Sequence, residues 1–145
     1  MNRAIPGYDD WFMDIAKVVA ARSTCSRRAV GCVIVSKSNH ILATGYNGVP
    51  SGIEHCTSTP CAGSSFATGE GLDSCQALHA EQNAIARLID AEKAHTLYCT
   101  TAPCISCTKL ISATSIQRIV CDVPYKKSGQ QFWVEVLGRD WSEML

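Results

Sequence analysis

The sequence lacks an excess of charge of either sign, because 13 Lys and Arg side chains are balanced by 13 Asp and Glu among 145 residues. Proteins that neutralise many phosphates usually carry a visible excess of basic residues. The balance argues against a nucleic-acid polymer as the partner, so any nucleotide-like ligand is expected to be small. Internal repeats and linkers are also absent, and the length fits one domain, residues 1–145.

Long hydrophobic runs are absent as well. No stretch of about 18 apolar residues is available to span a membrane. The first residues also lack the basic-then-apolar profile of a signal peptide. We therefore expect a cytoplasmic protein with no membrane partner.

Cysteine, by contrast, is abundant, with nine residues. In a reducing compartment this count favours metal ligands or a nucleophile over a disulfide framework. Cys32, Cys99 and Cys121 lie in apolar, strand-like segments and are expected to be small core residues. The clustered cysteines are candidates for zinc sites.

The apolar pattern predicts an α/β fold. Helical spacing is present over residues 8–21, 79–91, 103–113 and 130–137. Apolar or β-branched runs predict strands over residues 30–35, 41–46, 96–100 and 116–123. Strands that alternate with helices favour a sheet covered by helices. Residues 138–145 have little strand character, so a fifth strand is doubtful from the sequence.

Two short motifs carry chemistry, His79-Ala80-Glu81 and Pro103-Cys104-Ile105-Ser106-Cys107, and each opens a predicted helix. Cys104 and Cys107 are close on a helix, so both sulfur atoms can bind one ion. His79 can join them only if the end of its own helix faces the same centre. Three protein ligands leave a fourth zinc position open for water, as in catalytic sites. Glu81 is then free to move protons, since zinc lowers the pKa of its bound water.

Simpler interpretations stay open at this point. A lone His at a helix start is more often a cap or a core residue, and a CxxC pair can be a redox pair. A zinc-stabilised interaction module without enzymatic activity is a further alternative. Glu81 is the discriminating residue, because a purely structural zinc site does not need it.

The segments LHAEQNAI (78–85) and TAPCISC (101–107) resemble the cytidine deaminase superfamily, whose zinc enzymes share this signature. RSTCSRRAVGCVIV (22–35) and ILATGYNGVPSG (41–52) are similar to the deoxycytidylate deaminases within it. Together these segments cover most of residues 8–123. The resemblance implies a three-layer α/β/α fold around a mixed sheet of four to five strands.

The resemblance also implies hydrolytic deamination of dCMP to dUMP and ammonia, which supplies dUMP for thymidylate synthesis. It makes His79, Cys104 and Cys107 the ligands of a catalytic zinc, whose hydroxide attacks C4 of the base with Glu81 as proton shuttle. A tRNA or other polynucleotide base deaminase shares the motifs but needs a basic surface. Free-nucleoside cytidine deaminases usually bind zinc through three cysteines, whereas the first ligand here is a histidine.

Several residues are expected at the substrate. Asn47 matches the family position that contacts the sugar and base, although a left-handed turn at Tyr-Asn-Gly explains it equally well. Ala80, inside the first motif, is also expected to contact the substrate. Candidates for the substrate phosphate are basic or hydroxyl side chains: Arg27, Arg28, Tyr125, Lys126 and Lys127.

Regulation and assembly are implied by the resemblance alone. The family is typically hexameric, activated by dCTP and inhibited by dTTP at a site near a subunit interface. By resemblance this site includes Tyr46, Asn47, Gly48 and Arg28, and magnesium would accompany a bound nucleoside triphosphate. A homo-oligomer is therefore expected, a hexamer by resemblance.

Residues 47–76 are rich in Gly, Ser, Thr, Pro and Cys and show no periodicity, which is uncommon in a compact domain unless something clamps the chain. Some family members bind a second, structural zinc in this region. The preferred ligands here are Cys25, Cys56, Cys61 and Cys75, with His55 able to replace one of them. A closed site of four ligands would contribute directly to folding. Isolated thiols in a loop remain the alternative.

Overall fold

The computed structural model describes residues 3–56, 65, 67 and 76–144. Nine main elements follow one another in this part of the chain: α1 (Tyr8–Ala20), β1 (Gly31–Ser36), β2 (Ile41–Tyr46), α2 (Ala80–Ala86), β3 (Ala94–Thr101), α3 (Ile105–Ser112), β4 (Arg118–Val123), α4 (Ser128–Gln131) and β5 (Asp140–Glu143). A short 3-10 turn (Ala91–Lys93) precedes β3, and a π-helical segment (Phe132–Val136) continues α4. No helix in these ranges is long and apolar enough to cross a membrane.

The strands form one mixed sheet in the order β2-β1-β3-β4-β5. β1 pairs antiparallel with both β2 and β3, whereas β3–β4 and β4–β5 are parallel pairs. Phe12 and Met13 of α1 pack with Val33 and Tyr98 on one face of the sheet. The other face packs against α2 and α3. The predicted three-layer arrangement is therefore confirmed.

The residues of β1 alternate between two apolar layers, which explains why all six are buried. Cys32 and Ile34 belong to the layer under α2 and α3, and Val33 and Val35 to the layer under α1. Cys32, Cys99 and Cys121 occupy matching positions on β1, β3 and β4 and are fully buried. Their prediction as core residues is confirmed.

The doubt about a fifth strand was wrong. Residues 140–143 pair in parallel with β4 at the sheet edge, with Ser142 opposite Val120. The strand is only half-buried, so its polar composition is compatible with its position. Trp133 Nε1 also donates a 2.8 Å hydrogen bond to the Asp140 carbonyl and holds the incoming strand. Backbone pairing with β4, which composition does not reveal, decided the outcome.

The second helix is shorter than the predicted range of residues 79–91, because it ends at Ala86. Arg87 caps it, and the apolar Ile89 is 93% exposed instead of continuing a buried face. A close contact with β2 fixes where this helix lies. A Cβ atom at Gly45 would come within 2.4 Å of the Ala80 carbonyl oxygen and the Ala84 nitrogen. Glycine at position 45 therefore lets the first turn of α2 rest directly on the sheet.

Candidate active site

His79 occupies the N-cap of α2, where its backbone is extended (φ −71°, ψ 156°). Its N–H donates a 2.8 Å hydrogen bond to Gln82 Oε1, the reach-back half of a capping box. Glu81 follows in the first turn, where the positive end of the helix favours a carboxylate. The end of the helix, rather than its side, thus presents His79 to the site, as the motif spacing requires.

Cys104 occupies the N-cap of α3, and its Sγ accepts a 3.5 Å hydrogen bond from the Cys107 N–H. Thr108 Oγ1 donates to the Cys104 carbonyl at 2.8 Å. α4 packs closely against this turn. A Cβ atom at Gly129 would lie 2.5 Å from the Pro103 carbonyl oxygen and 2.7 Å from Thr108 Oγ1. The position of the cysteine turn therefore depends on a close backbone approach by α4.

The two helix starts bring three metal-binding atoms together. His79 Nδ1 lies 3.1 Å from Cys107 Sγ and 3.7 Å from Cys104 Sγ. All three donor atoms lie within 4.8 Å of one another. In a tetrahedral zinc site the nitrogen and sulfur ligand atoms lie about 3.5 Å apart, since the Zn–N and Zn–S bonds are about 2.0 and 2.3 Å long. The donor set and its spacing therefore fit zinc.

The three donors also shift one another's protonation. The hydrogen bond from Cys107, with His79 contributing, lowers the pKa of Cys104 to about 4. The hydrogen bond between Cys104 and Cys107 raises the pKa of the Cys107 thiol. The hydrogen bond between Cys104 and His79 raises the pKa of His79. The thiolate is the form of cysteine that binds metals. The arrangement thus favours the metal-binding form of at least Cys104.

Glu81 is only 4% exposed, and burial raises the pKa of its carboxyl group. Within the described residues, the group of donors close enough to hold a metal comprises His79, Cys104 and Cys107 and leaves Glu81 out. The sulfur atom of Cys99, on β3, lies 3.5 Å from Glu81 Oε1. A carboxyl group able to hold a proton therefore lies beside the metal donors without belonging to them.

A cleft opens beside these donors, and four of the predicted substrate residues line it: Arg27, Arg28, Asn47 and Ala80. Tyr125 is not part of the lining, but its ring lies under the Arg28 guanidinium, with 4.8 Å between Cζ and the ring centroid. The Tyr125 hydroxyl is buried and makes no hydrogen bond within the described structure. Leu78 and Thr101 also line the cleft, and sequence reasoning did not single them out although each flanks a motif.

Asn47 connects β2 to the arginine loop, the segment that carries Arg27 and Arg28. Its Oδ1 accepts hydrogen bonds from the Val30 N–H (2.9 Å) and Ser23 Oγ (2.5 Å). Its Nδ2 donates to the Arg28 carbonyl at 2.8 Å. The left-handed turn considered for Asn47 is wrong, because Asn39 is the non-glycine residue with positive φ in the described structure. Ser23 is a further residue that sequence reasoning did not single out.

The four residues predicted for the regulatory site separate into two groups. Tyr46 and Gly48 line a second cavity of about 690 Å³, whereas Asn47 and Arg28 line the cleft beside the metal donors. Tyr46 and Asn47 are successive residues at the end of β2, and successive side chains of a strand point in opposite directions. We therefore expect these two residues to line different cavities. Arg22, Asn83 and Arg87 also line the second cavity, and sequence reasoning did not single them out.

The residues predicted for a second zinc are only partly described. Cys25 is half-buried and lines the cleft, and Cys56 is buried with its Sγ 3.0 Å from Ser26 Oγ. His55 is exposed and lines the second cavity. Cys61 and Cys75 lie outside the described residues.

Comparison with known proteins adds independent evidence. The sequence profile described as cytidine and deoxycytidylate deaminase zinc-binding region matches residues 7–123. The chain belongs to the cytidine and deoxycytidylate deaminase family. The match includes both motifs that supply the metal donors and Glu81.

Individual members of the family are similar over most of the chain. Deoxycytidylate deaminase of Schizosaccharomyces pombe is 40% identical over 131 residues, which are 86% of this chain but 39% of that protein. This chain thus spans about two fifths of the length of that relative. Deoxycytidylate deaminase of Mycobacterium phage D29 is 40% identical over 122 residues, 79% of this chain and 94% of the phage protein.

A solved structure has the same fold. The dCMP deaminase of cyanophage S-TIM5, in complex with dCMP and dUMP, aligns with a TM-score of 0.75 at 27% identity. The alignment covers 98% of this chain and 100% of the cyanophage chain. The α/β/α architecture is therefore the one that the cyanophage enzyme has.

Proposed function

We propose that this chain hydrolyses dCMP to dUMP and ammonia. The observation that carries the proposal is the buried Glu81 carboxyl beside a His79, Cys104 and Cys107 donor set at the base of a cleft. The phage relative of similar length and the cyanophage neighbour are both deoxycytidylate deaminases, which supports dCMP as the substrate.

His79, Cys104 and Cys107 would hold the zinc. When bound, zinc lowers the pKa of a coordinated water so that hydroxide is available near neutral pH. Glu81 accepts the proton that the attacking water gives up and delivers it to N3 of the cytosine ring as the C4–O bond forms. Glu81 then takes the second proton of that oxygen to the exocyclic amine, the C4–N bond breaks, and ammonia leaves. Burial suits Glu81 to this role, because its raised pKa lets the carboxyl hold a proton between the two steps.

The arginine loop is proposed to bind the substrate phosphate. Arg27 and Arg28 line the cleft, and a guanidinium can bind a phosphate through two parallel hydrogen bonds. Tyr125 stacks against Arg28 and has a buried hydroxyl that makes no hydrogen bond in the described structure. Lys126 and Lys127 follow next along the chain, outside the cleft lining. Asn47 and Ala80 would contact the sugar and the base.

The second cavity is the proposed effector site, with dCTP as activator and dTTP as inhibitor. Arg22 and Arg87 supply positive charge for the phosphates of a triphosphate, which would itself carry the magnesium ion, and Tyr46 and Gly48 also line this cavity. Asn47, between Tyr46 and Gly48, reaches the cleft instead, so one short segment contacts both cavities.

Assembly as a homo-oligomer, with a hexamer as the proposed form, is supported by apolar side chains exposed on the described chain: Val18, Ile89 and Val136.

We also propose a second, structural zinc held by Cys25, Cys56, Cys61 and Cys75, with His55 as a substitute ligand. Support comes from the buried Cys56, which contacts the residue that follows Cys25. Metal analysis of purified protein tests this site. Two zinc ions per chain, one of which survives Cys104→Ser, would support it, and one zinc per chain in the parent protein would rule it out.

A substrate panel tests the main proposal. Ammonia release is measured with dCMP, CMP, deoxycytidine, dCTP and an RNA stem-loop containing cytidine and adenosine, with zinc content determined on the same sample. Turnover greatest with dCMP and absent with the stem-loop is expected. Turnover of the stem-loop alone would instead indicate a polynucleotide deaminase, and no turnover of any substrate by the zinc-loaded protein would indicate a non-enzymatic zinc module.

A further inference from the structure

In the described part of the chain, the thiols of Cys107 and Cys99 lie within hydrogen-bonding reach of the Glu81 carboxyl group. Cys107 is assigned to the metal, and a metal-bound thiolate has no proton to donate. Cys99 is fully buried on β3, and its Sγ lies 3.5 Å from Glu81 Oε1. In the ionised form that receives the first proton, the oxygens of Glu81 can only accept a hydrogen bond, whereas a thiol is a weak donor. The Cys99 S–H therefore donates to Glu81.

The position of Cys99 makes this contact a fixed one. β3 lies in the middle of the sheet, and Cys99 pairs in register with Cys32 on β1 and Cys121 on β4. The contact with Cys32 and burial together raise the pKa of Cys99, so the thiol keeps its proton. Glu81, by contrast, is carried by the first turn of a helix only seven residues long. The sheet thus supplies the rigid side of the pair.

We propose that Cys99 is a positioning residue that fixes the rotamer of Glu81 through an S–H···Oε1 hydrogen bond. The role rests on the proposed deaminase function, because holding Oε1 fixes the position of the carboxyl group that transfers the proton. A misplacement of a proton-transfer group by a fraction of an ångström lowers the rate of chemistry more than it weakens substrate binding. The expected signature is therefore a loss in kcat with little change in KM.

Three variants separate this role from core packing. Cys99→Ala removes the donor, Cys99→Ser keeps a donor at the same place, and Cys121→Ala makes the same change at an equally buried position on β4. We expect Cys99→Ala to lower kcat for dCMP about three- to tenfold, the effect of one modest hydrogen bond. KM and zinc content should stay within about twofold of the parent, and Cys99→Ser should recover most of kcat.

Two kinetic outcomes would overturn the proposal. One is a kcat for Cys99→Ala within about twofold of the parent, less than a modest hydrogen bond would give. The other is an equal loss in Cys121→Ala, which would assign the effect to core packing. Unfolding midpoints measured for all three variants show whether each protein is folded when it is assayed.

A spectroscopic readout tests the contact without relying on activity. The infrared S–H stretching band of Cys99 is isolated as the difference between zinc-loaded parent and Cys99→Ala. Donation to a carboxylate lowers the frequency of this band, and Glu81→Gln, a weaker acceptor, should raise it again. An unchanged band in Glu81→Gln would overturn the contact. If the parent converts no cytosine nucleotide, the proposed function fails, and this band still decides whether Cys99 binds Glu81.

Discussion

The side-chain amide of Asn47 donates a 2.8 Å hydrogen bond to the carbonyl oxygen of Arg28. With the bonds that Asn47 accepts from Val30 and Ser23, this contact attaches the arginine loop to the end of β2. The hydrogen bond from the Val30 N–H is buried, so bulk water cannot take the place of Asn47 there. The residue proposed to contact the substrate thus also determines where the arginines lie.

Asn47→Ala should reduce both stability and substrate affinity. It leaves the buried Val30 N–H without its partner and removes the shorter of two hydrogen bonds to the Arg28 carbonyl, and we expect the free energy of unfolding to fall by about 2–4 kcal/mol. Urea denaturation measures this change. Asn83→Ala removes one half-buried hydrogen bond to the Tyr46 carbonyl and should cost about 1 kcal/mol. Equal losses in the two variants would contradict the special role of Asn47.

Glu81→Gln should abolish turnover while zinc stays bound. Glutamine keeps the size and position of the side chain but cannot accept and return a proton, so kcat should fall at least about 100-fold. Metal content measured beside kcat gives the control, because Glu81 is not in the donor set. Loss of zinc in Glu81→Gln would show instead that Glu81 is a ligand.

Cys104→Ser should remove the catalytic metal and with it the activity. A serine hydroxyl does not replace a thiolate as a zinc ligand at neutral pH, and only His79 and Cys107 would remain. Chelator treatment of the parent, followed by added zinc, should remove and then restore turnover. Full activity in the chelated protein would exclude a zinc-dependent reaction.

Gly129→Ala should disturb the cysteine turn from a distance. The new methyl group would overlap the Pro103 carbonyl oxygen and Thr108 Oγ1, so the turn or α4 must move. We expect a loss of about 1–3 kcal/mol in the free energy of unfolding and weaker zinc binding in a chelator competition. Gly7→Ala is the control, because nothing lies within 4 Å of its added Cβ. Unchanged zinc affinity in Gly129→Ala would show that α4 does not position the turn.

The Asp9–Arg118 pair predicts a pH dependence of stability. Arg118 Nη1 and Nη2 donate to the two Asp9 oxygens at 2.9 and 2.7 Å, which lowers the pKa of Asp9 below 3.8. The stabilisation is therefore fully present above the unfolded pKa of about 3.9 and is lost as the pH falls through the lower folded pKa. The stability difference between parent and Asp9→Asn should be constant above about pH 5 and shrink in acid.

A partly exposed pair of this kind contributes about 1 kcal/mol to the free energy of unfolding. Because this difference is small, the thermal unfolding of parent and Asp9→Asn is compared in the same buffer at each pH. Asp122→Asn, which removes the more exposed ion pair with Lys17, should have a smaller effect. A difference between parent and Asp9→Asn that grows in acid would contradict the assignment.

The cluster of His79, Cys104 and Cys107 and the carboxyl group of Glu81 beside it could be predicted from the sequence because both motifs are short. His79 and Glu81 lie within one helix start, and Cys104 and Cys107 within one turn. The local geometry of a helix N-terminus constrains such residues almost independently of the rest of the chain. Most predicted strands were correct for a similar reason, since β-branched runs such as residues 30–35 favour a pleated surface.

The sequence by itself determined the chemistry: the donor types, their spacing and a carboxylate beside them. Tertiary structure alone decided that the two motifs meet, that Asn47 attaches the arginine loop, that Cys99 contacts Glu81, and that residues 140–143 pair with β4. These four features join residues that are distant along the chain or depend on a neighbouring strand. Local residue preferences carry no information about such contacts, because their free energy arises only when packing brings the groups together.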